Sequence, residues 1–178
     1  MAEQTIVVNI SGYLREEHIH NLPEGPGIYF VYESKFNDID QTIDLLRIIY
    51  IGDGLNIRQN VMSDSLQTEW KSLIYPGNEI CFSAATIEGY YRPRVAAAYV
   101  FMHAPPANKE NTKIFLYDRT TVISTGRTAL LYPVITANRS NLQSINTPIN
   151  FRRGTMIPAR AIPLSREPDK PRRFASGE

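Results

Sequence analysis

Two short runs of β-branched and aromatic residues constrain the fold of this chain more than any other feature. Residues 27–32 read Gly-Ile-Tyr-Phe-Val-Tyr and residues 46–51 read Leu-Arg-Ile-Ile-Tyr-Ile, and turn-forming Pro and Gly residues bound the pair. Such runs between turns are typical of β-strands. The polar segment between them, residues 33–44, has Asn-Asp turn chemistry and extends both strands into one hairpin. The two runs are therefore predicted to be adjacent central strands that each present a tyrosine.

The remaining patterns predict an α/β domain. Further extended segments are predicted at residues 5–10, as an edge strand that ends at Ser11-Gly12, and at 79–87, 113–117 and 120–126. Helices are predicted at residues 55–62, 69–75 and 92–103. Short strands that alternate with helices around one core predict a small mixed β-sheet flanked by helices, followed by a C-terminal extended extension. The helix at 92–103 is expected to pack against the sheet.

Length and charge predict how the chain is divided. A chain of 178 residues suits one compact domain, predicted over residues 1–150, with an appendage. Residues 151–178 carry seven Lys/Arg and three Asp/Glu, net +4; because the whole chain is +1, the rest carries +1 minus +4, or −3. This Arg- and Pro-rich segment is predicted to be a flexible basic tail. It contacts nucleic acid or an acidic partner surface, or alternatively serves only to keep the chain soluble.

Three smaller features bear on location and metal binding. Cys81 is the one cysteine and lies in an apolar run, so we predict a core residue and a reducing compartment. No run approaches the roughly 18 apolar residues that a membrane span needs, so we predict a cytoplasmic protein without a membrane partner. His18 and His20 have a spacing that can chelate a metal, but because no further ligands follow nearby, we expect them on a loop or short helix.

Four features occur together between roughly residues 25 and 110: Gly27-Ile28-Tyr29, Tyr50-Ile51-Gly52, Asn56-Ile57, and the Pro-Pro-Ala-Asn run that ends at Asn108. Their combination resembles the GIY-YIG endonuclease family. That family includes homing endonucleases, some restriction enzymes and the excinuclease subunit of nucleotide excision repair. The resemblance implies a GIY-YIG-like sheet and, as activity, phosphodiester hydrolysis.

As the resemblance implies, hydrolysis of this kind needs three groups: a tyrosine near the attacking water, an arginine that stabilises the negative charge developing on the phosphorane, and a glutamate that holds one divalent metal. Tyr29 and Tyr50 match the family's two tyrosines, and Asn108 matches its asparagine. Both tyrosines are therefore predicted to line a catalytic site. The alternative is that they are sheet aromatics with satisfied hydroxyl groups.

Three positions depart from the family pattern. Asn60 stands where the family has arginine; Arg58 lies two residues earlier, a rotation of roughly 200° on a helix, and is expected to point away. Ala96 stands where the family has its metal-binding glutamate, and Asp64 stands where many members have His or Tyr. Three departures in one site favour natural decay or repurposing over a single engineered change.

These departures predict a catalytically silent pseudo-nuclease. Losing one positioned charge-stabilising group typically costs about 10² to 10³ in rate, and losing the metal ligand as well should remove most remaining hydrolysis. No cofactor is predicted for the chain as it stands. Magnesium or manganese would be expected if position 96 were glutamate.

Candidate ligand-binding residues open the helix at 92–103: Tyr90, Tyr91, Arg92 and Arg94. Aromatic and cationic side chains at a helix start predict binding of nucleic acid or another phosphate-bearing ligand, although surface aromatics beside a solvated charge pair have the same pattern. The acidic body instead favours a protein-interaction or regulatory subunit of a heteromeric nuclease, as a homo- or hetero-oligomer. A third alternative is a weakly active enzyme that recruits Glu79 or Glu88 as metal ligand.

Overall fold

The structure, a computed structural model, describes residues 3–140. The strands are β1 Gln4–Arg15, β2 Gly27–Asn37, β3 Thr42–Gly54, β4 Glu79–Thr86, β5 Thr120–Gly126 and β6 Val134–Ala137. The α-helices are α1 Ile57–Val61, α2 Asp64–Leu73 and α3 Arg92–His103, and a 3₁₀ helix spans Glu16–Asn21. No helix in this part of the chain has the length and apolar composition that crossing a bilayer requires.

The strands form one sheet in the order β3-β2-β4-β1-β5-β6. The pairing of β1 with β5 is parallel, whereas the other neighbours are antiparallel. The predicted small mixed sheet with flanking helices is therefore confirmed. The predicted hairpin of the two tyrosine-bearing strands is confirmed as well, because β2 and β3 pair from Gly27 opposite Gly54 to Asn37 opposite Thr42.

The two faces of the sheet are covered to different extents. Helix α3 packs on one face along with inward residues such as Phe30 of β2 and Val122 of β5. Helices α1 and α2 cover the other face only over β3, β2 and β4, where Trp70 is the largest buried side chain. We call β3, β2 and β4 the doubly covered half of the sheet, and β1, β5 and β6 the open half. Because β2 is covered on both faces, its first eight residues are all buried, which explains its continuous apolar run.

Four elements differ from the prediction. Helix α2 begins at Asp64, five residues before the predicted residue 69, and ends at Leu73. The N-terminal strand is interior rather than an edge strand: β1 pairs with both β4 and β5 and continues past Ser11-Gly12 to Arg15. Gly12 permits this because a Cβ there would lie 2.8 Å from the Phe82 carbonyl oxygen, and its φ of +126° suits glycine. Residues 113–117 are not a strand, and the edge strand β6 was not predicted from its four residues.

Other local predictions are confirmed. Helix α3 has the predicted bounds, and both Ile57 and Val61 of α1 are buried. Cys81 is buried in the core. His18 and His20 lie on the 3₁₀ helix. The predicted tail, residues 151–178, and the end of the predicted domain after residue 140 lie outside the described residues.

Candidate functional site

Tyr29 and Tyr50, the two tyrosines of the matched triads, are in contact. Tyr29 of β2 is 2% exposed, and its ring centroid lies 6.0 Å from that of Tyr50 on β3. Trp70 of α2 packs beside both rings, 5.3 Å from Tyr50 and 6.3 Å from Tyr29. Position 52 must be glycine because an added Cβ would lie 2.4 Å from Cζ of Tyr29 and 2.7 Å from Cε1 of Tyr50. The glycine of the second triad thus makes room for the tyrosine of the first.

Both phenol groups stay protonated near neutral pH. Burial raises the pKa of Tyr29, and its hydrogen bond to Tyr50 raises this pKa further. Burial also raises the pKa of Tyr50, partly offset by the hydrogen bond from Tyr29 and reinforced by the carboxylates of Asp53, Glu69 and Glu110. Tyr50 can therefore orient a water molecule or ligand through hydrogen bonds, but it cannot act as a phenolate base.

A cleft of about 400 Å³ lies beside Tyr50. Its walls are the end of β3, one side of α2 and α3, and the segment 107–111, with Tyr117 at the margin. Ala96 and Ala97 of α3 line it with methyl groups, while Asp53, Glu69 and Glu110 contribute carboxylates. Among the predicted catalytic positions, Tyr50, Ala96 and Asn108 line this cleft, which has three carboxylates against the one ammonium group of Lys109. Where the resemblance implies a glutamate ligand, the cleft has only the methyl group of Ala96.

Asn108 binds the backbone of β3 rather than facing a ligand. Its Nδ2 donates to the carbonyl oxygen of Ile51 at 2.8 Å, and its Oδ1 accepts from the N–H of Ile51 at 2.9 Å. The N–H of Ala107 donates to the carbonyl of Ile49 at 3.0 Å. These bonds continue the hydrogen-bonding pattern of the sheet and fix the segment 105–108 as one wall of the cleft. Asn108 is thus a positioning residue.

Asn60 and Arg58, two other predicted catalytic positions, do not line the cleft. The Nδ2 of Asn60 donates to the Asp53 carbonyl at 3.2 Å, and its amide packs against Gly54. Arg58 faces residues 22–24, where its Nε donates to the Leu22 carbonyl at 2.9 Å and its Nη1 pairs with Glu24. Asp64 begins α2, and its side chain is outside what the structure describes. No cation takes the place of the missing arginine among the side chains that line the cleft in residues 3–140, apart from Lys109 at its rim.

Two of the four predicted phosphate-binding residues are engaged inside the protein. Arg94 is 3% exposed and donates to Thr120 Oγ1 at 2.8 Å, so its assignment as a surface phosphate contact is wrong. Arg92 pairs with Asp53 through Nε at 2.7 Å. Tyr91 packs against the core, whereas Tyr90 is 69% exposed. The sequence placed all four at the start of α3, but it could not show that both guanidinium groups turn inward.

The cleft does not fit the divalent metal that the resemblance implies. Within residues 3–140 no group of three or more His, Cys, Asp or Glu side chains could hold a metal ion. Asp53 is paired with Arg92, and Glu69 lies 3.5 Å from Lys109. Glu79, proposed as a recruited ligand, binds Arg15 instead, and neither Glu79 nor Glu88 lines the cleft. Sequence reasoning missed Asp53, although its place in the Gly-Asp-Gly turn after Tyr50 was a usable signal.

A larger hollow of about 800 Å³ lies elsewhere, along residues 74–80 and the end of β1. The predicted site residues do not line it, so its size alone does not make it the site. Buried Glu33 organises its wall by accepting hydrogen bonds from the Tyr75 N–H, Asn78 and Arg47. Burial by itself would raise the pKa of Glu33, but these hydrogen bonds outweigh it and hold the pKa below its ordinary value. Glu33 is therefore a charged structural residue.

Comparisons of the chain with protein families, with curated proteins and with solved structures found no match.

Proposed function

We propose that this protein is a degenerate member of the GIY-YIG endonuclease family, a nuclease-like domain that works by binding and does not cleave. One observation carries the proposal. Tyr50, Gly52 and Asn108 line one cleft with Tyr29 packed against Tyr50, and Ala96 lines the same cleft without a metal-binding atom. The cytoplasmic location of the protein stays a prediction.

The proposal assigns no chemical step to the cleft. Asn60 donates to a backbone carbonyl and carries no charge that could stabilise a phosphorane. Burial keeps Tyr50 a neutral phenol, and within residues 3–140 no group of three or more His, Cys, Asp or Glu side chains could hold a metal ion. Tyr50 can still hold a bound group in place by a hydrogen bond.

The direct test is a plasmid-nicking assay with magnesium or manganese. We expect no cleavage by the unaltered chain and weak cleavage by the double variant Asn60→Arg/Ala96→Glu, because the cleft has room for a longer side chain at position 96. The matched control adds Tyr50→Phe to the double variant and should abolish the gain. Metal-dependent nicking by the unaltered chain that Tyr50→Phe removes would refute the proposal.

Between the two classes of partner, the charges of the described domain favour a protein. Arg92 and Arg94 are engaged within the domain, and the residues that line the cleft include three carboxylates but only one lysine, an excess of negative charge that disfavours a phosphate backbone. We therefore propose a regulatory or interaction subunit as the role of residues 3–140. Nucleic-acid binding stays a prediction for the seven Lys/Arg of residues 151–178.

A salt titration of binding to duplex and single-stranded DNA separates these roles. If the basic segment binds phosphates, removing residues 164–178, which carry four of its seven Lys/Arg, should weaken binding and flatten the salt dependence, since each lost contact lowers the log-log slope by roughly 0.7 to 0.9. Substitution of Lys109 by Gln in the full chain is the control and should leave the slope unchanged. A slope that depends on Lys109 and not on the segment would place nucleic acid in the cleft.

A further inference from the structure

The cleft beside Tyr50 joins an apolar wall to aromatic rings. Ala96, Ala97 and Val100 of α3 line it, and each is at most 5% exposed. Tyr50 and Tyr117 supply the rings. With about 400 Å³, the cleft lies within the range of about 300–1,000 Å³ that ligand pockets occupy. It therefore has the volume and the apolar surface to hold one aliphatic side chain of a ligand.

The negative charge of this cleft exceeds what the protein itself neutralises. Asp53, Glu69 and Glu110 line it, and Lys109 is the one basic residue among its lining residues. Asp53 pairs with Arg92 at 2.7 Å, whereas Glu69 lies 3.5 Å from a Lys109 side chain that is 83% exposed. An exposed pair of this kind contributes little, so Glu69 can exchange it for another cation. Glu110 forms no ion pair within residues 3–140, which leaves its carboxylate to a ligand.

The carboxylates act on the Tyr50 side chain. Burial is the main cause that raises the pKa of Tyr50, and the negative charges of Asp53, Glu69 and Glu110 act in the same direction. Trp70 packs against the Tyr50 ring, with 5.3 Å between the ring centroids, and holds it in place. A fixed aromatic ring beside carboxylates favours an organic cation, which is attracted to the ring and forms charged hydrogen bonds to the carboxylates. The same charges disfavour an anionic ligand.

We propose that the cleft binds an arginine side chain of a partner protein. The inference rests on the proposed function, since it names the chemistry by which a non-cleaving domain recognises its partner. The guanidinium group would lie beside Tyr50 and the carboxylates of Glu69 and Glu110, and its aliphatic stem would lie along the methyl groups of α3. Arginine suits this lining better than lysine, because its planar fork can stack on a ring and donate to carboxylates at the same time.

An NMR titration of the isotope-labelled full chain with the peptide acetyl-Gly-Gly-Arg-Gly-Gly-amide tests the proposal. We expect shifts of the amide signals at residues 50–53 and 96–97, with a Kd of about 1 mM or tighter for a single side chain. The same peptide with citrulline in place of arginine keeps the shape and loses the charge, so it should bind at least about tenfold more weakly. Absence of binding, or equal binding of the two peptides, overturns the proposal.

A pair of variants locates the contact. Glu69→Gln/Glu110→Gln changes only side chains that are partly or fully exposed, so it should keep the circular dichroism spectrum and weaken binding of the arginine peptide about tenfold or more. The control Glu16→Gln/Glu17→Gln removes the same charges from the lining of the larger hollow and should leave the Kd unchanged. Equal weakening by both variants would show that net charge and not the cleft attracts the peptide, and would overturn the proposal.

Free arginine separates a protein partner from a small-molecule ligand. It should bind more weakly than the peptide, because the acidic cleft repels its own carboxylate. Tighter binding of free arginine than of the peptide would assign the cleft to a small molecule and refute a protein partner. Failure of this inference is distinct from failure of the proposed function: absence of arginine binding refutes only the inference, whereas metal-dependent nicking that Tyr50→Phe removes refutes the proposed function whether or not the peptide binds.

Discussion

The two halves of the sheet differ in what covers them, and this difference separates the residues that hold the fold from the residues that face solvent. In the doubly covered half, Trp70 of α2 packs against Tyr29 of β2 and Phe82 of β4. In the open half, the same face of the sheet carries threonine and valine side chains that remain partly exposed. Substitutions on the face opposite α3 should therefore be costly in the first half and nearly neutral in the second.

The same distinction runs through the matched family positions. Tyr29, Gly52 and Asn108, which match the family, all make packing or backbone contacts in the doubly covered half. Asn60 and Ala96, which depart from it, are positions where the resemblance implies a charged group. The positions that match the pattern are therefore the ones that build the scaffold.

The largest expected effect is the loss of Trp70. Trp70→Ala should destabilise the protein by about 3–5 kcal/mol, because it removes the largest fully buried side chain and leaves a cavity beneath β2 and β3. Val134→Ala on the open half is the control and should cost within about 0.5 kcal/mol. Urea unfolding measures both. Equal costs at the two positions would contradict the contrast between the halves.

Gly52→Ala should have the next largest effect, about 2–3 kcal/mol, because the new methyl group has no space between the rings of Tyr29 and Tyr50. Gly89→Ala is the matched control, since a Cβ there meets no atom within 4 Å. The measurement is the melting temperature of each variant relative to the unaltered protein. A Gly52→Ala protein as stable as the control would show that the tyrosine rings can separate, and that Gly52 is not required for their packing.

A smaller effect is expected from His103, at the end of α3. Burial lowers its pKa from 6.5 to about 4, and its ring stacks on Tyr132 at 4.7 Å. Between these two values the unfolded chain binds a proton that the folded protein does not. The free energy of unfolding should therefore fall by about 1–3 kcal/mol as pH drops from 7 towards 4.

The variant His103→Gln should remove that part of the pH dependence, and His18→Gln on the exposed 3₁₀ helix should not. Urea midpoints at a series of pH values give the comparison. If stability depends on pH in His103→Gln as it does in the unaltered protein, the imidazole of His103 has the same pKa in the folded and the unfolded state. Glu33 has a lowered pKa, so its effect on the free energy of unfolding is expected at the acidic end of the pH series, where protonation of its carboxyl group removes stability.

Local signals in the sequence were sufficient to predict several elements of the fold. Turn-bounded β-branched runs predicted β2 and β3, and a proline in the first turn with three alanines predicted α3, because these residues fix backbone preferences over a few positions. The tyrosine triads also predicted that Tyr29 and Tyr50 lie on neighbouring strands. The sequence alone also shows that position 96 has no metal-binding atom, because the side chain of alanine is a methyl group.

Features that depend on residues far apart in the chain emerged only from the folded arrangement. The interior place of β1 follows from its pairing with β4 and β5, which lie about 70 and 115 residues away along the chain. The inward turn of Arg92 and Arg94 depends on Asp53 and Thr120, contacts that no local pattern encodes. The acidic cleft and the uncovered face of the open half have the same cause, because which side chains share a surface is set by strand order and helix placement.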